Sequence, residues 1–360
     1  MYRAHAKEGN RLKTEVVWID ELHIDEQVIQ RAGELIKAGE LVAFPTETVY
    51  GLGGDALRPT SSKKIYAAKG RPSDNPLIIH IANWEDIDYI CEDIPEAAKK
   101  LADVFWPGPL TMVLKKKKVV PLETTGGLET VAVRLPSNLV ARAFIEAAGG
   151  YVAAPSANVS GRPSPTVAKY VKEDMDGKIP LILDGGQVGI GVESTIVDLT
   201  DEIPMILRPG FVTKEMLEQV LGEVKEDVTL MEVKADVAPK APGMKYRHYA
   251  PMGSLSIVTG AEEDVIAYIN EACKEAEQEG KKTGVICTEE NAAFYQAGVV
   301  KIIGKKAEEN TIAHGLYQCL RECDDEALEV IFTESFPTKG FGQAIMNRLL
   351  KAAGHQIIQV

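Results

Sequence analysis

Little in this sequence would place it outside the cell, in a membrane or along a nucleic-acid backbone. Only five of its 360 residues are cysteines, at 91, 273, 287, 319 and 323, and no two form a C-x-x-C pair. An odd, widely spaced set argues against a disulfide framework and a zinc ribbon, so reduced thiols in the cytoplasm are expected. No apolar run approaches the roughly 18 residues of a membrane helix. The opening residues MYRAHAKEGNRLK are basic but hold no apolar stretch, and no secretory signal is read. Basic side chains are in deficit, with 40 Lys and Arg against 53 Asp and Glu, net −13. A general nucleic-acid coat, which binds by neutralising phosphates, is not expected from that balance. The P-loop pattern G-x-x-x-x-G-K-[ST] is missing, as is any defensible Ser-His-Asp or Cys-His set.

What is present suits a folded protein of two domains. Apolar residues are 45% and charged residues 26%, which excludes disorder as the main state. At roughly 100–200 residues per domain, the length suggests two domains. Residues 1–210 carry net −5 and residues 211–360 net −8. The longer first part is the less acidic, and is the better host for an anionic ligand.

Periodicity divides the chain further. An extension and a first strand, Val16–Ile19, fill residues 1–23. A helix from Asp25 to Lys37 stops at Gly39, and Leu41–Phe44 reads as a buried strand entering the loop PTETVYGLGGDA. A second helix, Ser61–Ala68, ends in KGRPSDNP. Further strands and helices follow without strict alternation, so residues 24–212 are expected to be an α/β domain on a mixed sheet. Residues 213–252 read as a helix and a linker that ends PGMKYRHYAP, with no Gly/Ser run. Residues 253–360 alternate strand and helix, which predicts a smaller, Rossmann-like parallel sheet with helices on both faces.

Several segments have the composition of a ligand site. PTETVYGLG (Pro45–Gly53) sets Thr46 and Thr48 where a strand end meets a glycine turn; a Thr-rich turn satisfying its own backbone reads equally well. KGRPSDNP sets Lys69 and Arg71 at a helix end. There they either complement the helix dipole or, because Pro72 stops the helix, point into a cleft and stabilise phosphate charge. PSANVSGRPSPT (Pro155–Thr166) gathers hydroxyls, an amide and an arginine after an apolar strand, either as a polar surface loop or as donors to one anion or purine. GGQVGIGVEST (Gly185–Thr195) reads as a turn between strands. Lys115–Lys118 reads as a solvated sheet edge, and Cys319/Cys323 as a half-buried helix face.

Taken in order, PTETVYGL, KGRP, VAVRLP, PSANVSG, ESTIVD and ILRPG resemble the YrdC-like family over roughly residues 24–212, with its K-x-R and S-x-N patterns intact at Lys69/Arg71 and Ser156/Asn158. The PGMKYRHYAP linker and the second α/β domain resemble the family's long form. The resemblance implies a twisted mixed sheet with a concave site. It also implies an activity: L-threonine, bicarbonate and ATP give L-threonylcarbamoyl-adenylate, pyrophosphate and water, with Mg2+ on the phosphates. The product serves the N6-threonylcarbamoyladenosine modification beside the anticodon of tRNA. A tRNA threonylcarbamoyl transferase complex is the implied downstream partner, met transiently, and direct contact with tRNA stays open. By position, Thr48, His80, Arg134, Ala154 and Ser194 resemble the threonine site. Arg71, Asn75, Thr130, Ser156, Ser164 and Arg208 resemble the nucleotide site, with Asn158 assigned to phosphate. Lys69 and Arg71 are assigned to transition-state charge, on the expectation that neither is a core residue. Tyr246, Arg247, His248 and Tyr249 of the linker are expected over the site's mouth. Two other readings remain: an RNA-binding module using Lys115–Lys118, and a carbamoyl-transfer maturation enzyme, against which the missing C-x-x-C pairs argue.

Overall fold

The computed structural model describes residues 12–227 and 249–360. The first domain opens with β1 (Glu15–Trp18) and α1 (Glu26–Lys37). Asp25 starts that helix, its carboxylate accepting from the N–H groups of Gln27 and Val28, while Glu26 and Lys37 sit at the ends the helix dipole favours. Next come β2 (Val42–Phe44), β3 (Gly51–Asp55) and α2 (Pro59–Lys69). Pro59 opens α2, and Gly70 closes it in the left-handed conformation at φ 61°. This turn fixes where Lys69 and Arg71 emerge. There follow β4 (Ile78–Ile81), α3 (Ile87–Ile90), α4 (Glu96–Phe105), β5 (Leu110–Lys115), β6 (Thr130–Arg134), α5 (Leu139–Ala147) and β7 (Tyr151–Ala153). The domain ends with α6 (Ala168–Met175), β8 (Leu181–Asp184), β9 (Thr195–Asp198), β10 (Met205–Arg208), α7 (Lys214–Leu221) and β11 (Lys225–Glu226).

Among the described residues these strands form one mixed sheet of eleven, in the order β1-β8-β2-β3-β7-β4-β6-β5-β9-β10-β11. Parallel pairs such as β4/β6 and β5/β9 are mixed with antiparallel pairs such as β3/β7 and β5/β6. Val152 and Ala153 enter separate buried clusters, as the alternation of a strand requires. The helix expected after residue 212 is α7, and Leu217 and Val224 pack into the first domain's core.

Two expectations change. The sequence predicts a loop at GLGGD, but this stretch is β3. A Cβ at Gly53 would lie 2.9 Å from Val152 Cγ1 and 3.1 Å from Phe44 Cε1, so glycine is what lets the strand fit there. Lys115–Lys118 do not guard an edge, because β5 lies between β6 and β9. Lys116 is itself 9% exposed, with Nζ 3.3 Å from the Val120 carbonyl and 3.4 Å from Glu129 Oε2.

The second domain comprises β12 (Ser254–Thr259), α8 (Glu262–Gln278), β13 (Thr283–Thr288), β14 (Val299–Gly304), α9 (Glu309–Asp325), β15 (Val330–Glu334), α10 (Phe341–Ala352) and β16 (Ile357–Gln359). Its five strands pair in parallel, in the order β14-β13-β15-β12-β16. Cys319 and Cys323 are buried in its core. That core also takes in Val49 and Val192 of the first domain. The glycine-rich turn 185–194 is where the domains meet: His314 Nδ1 lies 3.1 Å from the Gly189 carbonyl, and a Cβ on Gly191 would stand 2.5 Å from the Ala313 carbonyl oxygen. Among the described residues no helix is long and apolar enough to cross a membrane.

Candidate functional site

One cleft gathers the ends of β2, α2, β6, β7, β9 and β10, and encloses about 690 Å³ including its open mouth. Twelve sequence-assigned residues line it: Thr48, Lys69, Arg71, His80, Arg134, Ala154, Ser156, Asn158, Ser164, Ser194, Arg208 and Tyr249. Asn75 and Thr130 are not on its wall. Asn75 sits behind Arg71, whose Nη2 donates toward the Asn75 and Pro76 carbonyls at 3.4 and 3.1 Å. Thr130 shares a face of β6 with Arg134, about 13 Å away along the strand. Between them, Ile78 and Ala132 form part of a buried apolar cluster with Leu207. Tyr246, Arg247 and His248 lie outside the described residues.

One half of the cleft is built on Arg134. Its Nη1 donates to Thr48 Oγ1 at 2.9 Å, and its Nη2 lies 2.7 Å from Glu47 Oε1. Thr48 Oγ1 also lies 2.9 Å from Thr46 Oγ1, and the Thr46 hydroxyl donates to the Val49 carbonyl, so the PTET turn is both self-satisfied and turned onto the arginine. His80 is 4% exposed, with Nδ1 3.2 Å from the Ile78 carbonyl and its ring edge-on to Phe44. Burial and the nearby Arg134 push its pKa down to about 3, so it is a neutral imidazole at physiological pH.

The other half is richer in cation. Arg71 Nε and the side-chain amide of Asn75 are buried with no hydrogen-bond partner among the described residues. Burial lowers Arg71 to about 10. Arg208 donates from Nε to the Ser194 carbonyl at 3.0 Å and from Nη2 to Ser194 Oγ at 3.1 Å, and Ser194 Oγ meets Thr111 Oγ1 at 2.8 Å.

Lys69 differs from expectation. It is 2% exposed, hence a core residue. Its Nζ donates to the carbonyls of Ser156 and Asn158 and lies 3.4 Å from Asn158 Oδ1. Burial and Arg71 draw its pKa well below the ordinary value, yet three acceptors match the three N–H bonds of an ammonium. Asn158 also turns inward. Its Nδ2 donates to the Val159 and Arg162 carbonyls at 2.8 and 2.9 Å, and its Oδ1 accepts from Ser156 Oγ. The geometry of S-x-N is thus that of a loop clasp closed by Lys69, with no amide hydrogen of Asn158 left for a phosphate.

Two carboxylates at the cleft escaped the sequence reading. Glu47 pairs with Arg134. Glu193 accepts from Ser164 Oγ at 2.6 Å, from Tyr317 Oη at 2.7 Å and from Arg348 Nε at 3.1 Å. Burial alone would raise its pKa, but Arg348 and Arg208 outweigh burial and hold it down to about 2. Both acids stand inside the motifs PTET and EST, each beside an assigned hydroxyl, so the signal was available. Tyr317 and Arg348 gave none, because their role depends on contacts across more than 120 residues of chain. Tyr249 stacks on Tyr317 at 5.1 Å between ring centroids, and Ala250 N–H donates to the Gly161 carbonyl at 2.9 Å, tying the linker's end to the S-x-N loop.

A cleft that joins cations, hydroxyls and orphaned donors suits an enzyme acting on anionic substrates. Comparison with known proteins is specific. Residues 34–210 match the Sua5/YciO/YrdC family model, described as telomere recombination, and residues 212–354 match the model of the threonylcarbamoyl-AMP synthase C-terminal domain. A threonylcarbamoyl-AMP synthase of Pyrococcus abyssi is 50% identical over 337 residues, covering 94% of this chain and 97% of the relative. One of Bacillus subtilis is 48% identical over 341 residues, covering 94% and 97%. The crystal structure of P. abyssi Sua5 complexed with L-threonine superposes with a TM-score of 0.91 at 48% identity, over 96% of this chain and 99% of that one. The chain belongs to the YrdC-like family, in the long two-domain form of the threonylcarbamoyl-AMP synthases.

Proposed function

We propose that the protein is an ATP-dependent nucleotidyltransferase that joins L-threonine, bicarbonate and ATP into L-threonylcarbamoyl-adenylate and releases pyrophosphate. The threonine amine captures the carbon of bicarbonate as a carbamate, and the displaced oxygen leaves as water. A carbamate oxygen then attacks the α-phosphate, and pyrophosphate leaves. This requires positioned cations and no covalent enzyme intermediate. The observation that carries the reading is the pairing of two unlike halves in one cleft. Arg134 with Thr48 suits an amino-acid carboxylate, while the unpartnered Arg71 Nε on the cleft wall calls for an acceptor. The L-threonine complex of the P. abyssi relative supports the first half.

In this reading Thr48, His80, Arg134, Ala154 and Ser194 receive threonine. Neutral His80 adds no second positive charge beside the substrate amine. Arg71, Ser156, Ser164 and Arg208 receive the nucleotide on the cleft wall, while Asn75, behind Arg71, and Thr130 are assigned to it by the family resemblance alone. Arg71 stabilises the charge developing on the phosphates, while Lys69 contributes its charge from behind and, with Asn158, holds the loop that presents Ser156. Mg2+ arrives with ATP. The described residues hold no cluster of His, Cys, Asp and Glu able to cage a metal, and no protein ligand is assigned to the ion. The product passes in the cytoplasm to a tRNA threonylcarbamoyl transferase complex for N6-threonylcarbamoyladenosine formation.

The test is pyrophosphate release from ATP with bicarbonate and a panel of amino acids. Threonine should give the strongest signal, and omission of bicarbonate should abolish it. Serine lacks only a methyl group and should fall on the order of 10–200-fold below threonine. Valine, which leaves Thr48 and Ser194 without a hydroxyl partner, should fall further. Release that ignores threonine or bicarbonate would overturn the reading, and salt-sensitive RNA binding without turnover would favour an RNA-binding module.

A further inference from the structure

Two arginines of the second domain are fully buried, and both point out of that domain into the first. Arg321, on α9, donates to the Pro163 carbonyl from Nε at 2.9 Å and from Nη2 at 2.6 Å, and forks Asp174 at 3.1 and 2.7 Å. Arg348, on α10, donates to Glu193 Oε2 at 3.1 Å, to the Glu193 carbonyl at 3.3 Å and to the Pro209 carbonyl. The gripped residues fall in a pattern. Pro163 directly precedes Ser164, Pro209 directly follows Arg208, and the Glu193 carboxylate takes the Ser164 hydroxyl. Ser164 and Arg208 line the cleft and are assigned to the nucleotide.

We propose that Arg348 and Arg321 are positioning residues for the nucleotide half of the active site, and that Glu193 relays Arg348 to the cleft by fixing the Ser164 hydroxyl. A guanidinium has five N–H donors in a rigid plane, so holding two or three acceptors at once fixes the backbone more tightly than one point charge can. Glu193 Oε1 takes the Ser164 hydroxyl at 2.6 Å, which sets the direction in which Ser164 presents its lone pairs. Tyr317 fills the other side of the carboxylate and carries Tyr249 on its ring, so the same contact ties the linker's end to the nucleotide wall. The second domain thereby shapes the site without touching substrate. An error of about 1 Å in such a shell is enough to cost on the order of 100-fold in rate.

The inference rests on the nucleotide assignment made above, and the test separates the two. The full chain is titrated with a non-hydrolysable ATP analogue by calorimetry, and assayed separately for pyrophosphate release. Arg348→Lys keeps the charge but loses the fork, and should weaken analogue binding at least tenfold while KM for threonine changes by a smaller factor. Tyr317→Phe removes a single O–H at nearly constant volume. It should weaken the analogue about threefold at a temperature where the variant is still fully folded, so a folding defect does not explain the result even though the lost bond to Glu193 lowers the melting temperature. Arg321→Lys should likewise raise the ATP KM more than the threonine KM. Analogue affinity unchanged in both Arg348→Lys and Tyr317→Phe would overturn the inference, as would parallel losses for ATP and threonine in step with the melted fraction. Wild-type protein that binds the analogue but releases no pyrophosphate would sink the activity and leave the positioning role standing. Wild-type protein that binds no nucleotide would sink both.

Discussion

Arg134 and Glu47 face each other 2.7 Å apart at the floor of the cleft, with 4% and 13% of their side chains exposed. Neither Glu47 oxygen has an aligned hydrogen bond among the described residues, so the contact is one of charge rather than of a shared proton. Breaking a buried pair from one side strands the other charge, at a cost of about 3–5 kcal/mol. Glu47→Gln should therefore lower the melting temperature of the ligand-free protein. It should also enlarge the stabilisation given by L-threonine, whose carboxylate would replace the missing counter-charge. Thermal shifts with threonine that are equal in variant and wild type would mean that the substrate carboxylate does not reach Arg134.

Lys69 and Arg71 stand two residues apart yet should fail differently. Replacing either by Ala should slow pyrophosphate release at least tenfold, about 1.4 kcal/mol of barrier. Lys69→Ala should also lower thermal stability, because it removes the ammonium that the Ser156 and Asn158 carbonyls now accept from. Arg71 has an unpartnered Nε and a charge that burial already disfavours, so its removal should leave stability nearly unchanged. Equal melting temperatures for the two variants would contradict the division between a loop clasp and a ligand-facing cation.

The histidine in the cleft gives a pH signature. His80 titrates near 3 in the folded protein and near its ordinary 6.5 when unfolded. Between those values only the unfolded chain binds the proton, so stability falls as pH drops from 6.5 toward 3, and above 6.5 this group contributes no pH dependence. The slope is up to about 1.4 kcal/mol per pH unit. Denaturation midpoints at pH 7, 6 and 5 should decline less steeply in His80→Gln than in wild type. Identical slopes would show that His80 is not held neutral.

Local chemistry made much of this molecule legible. The Gly39 stop, the Pro72 break after α2 and the βα alternation after Ser254 each announce an element through a rule that acts within a few residues. The cleft was legible for a similar reason, since strand-end hydroxyls and the cations after α2 sit in short motifs. Signals that depend on distant partners were not. GLGGD reads as a loop until Phe44 and Val152 are known to press on it, and the lysines at 115–118 read as an edge until β9 is placed beyond β5. Lys69 looked like a free cation because nothing in sequence shows that the S-x-N loop folds back onto its ammonium. Arg321 and Arg348 look like ordinary helix-surface residues, and only docking reveals where they point.

Gly191 sets how deep that docking goes. With no side chain and φ of 92°, it lets the backbone of the turn rest directly on α9 beside Ala313 and His314. Even one methyl group there would act as a shim. The helix carrying Tyr317 and Arg321 would be wedged outward, and every guanidinium contact beyond the wedge would lengthen together. The mechanical tolerance of the catalytic wall is thus set at a residue that meets neither substrate nor arginine, and the absence of a single carbon atom is what keeps the assembly within it.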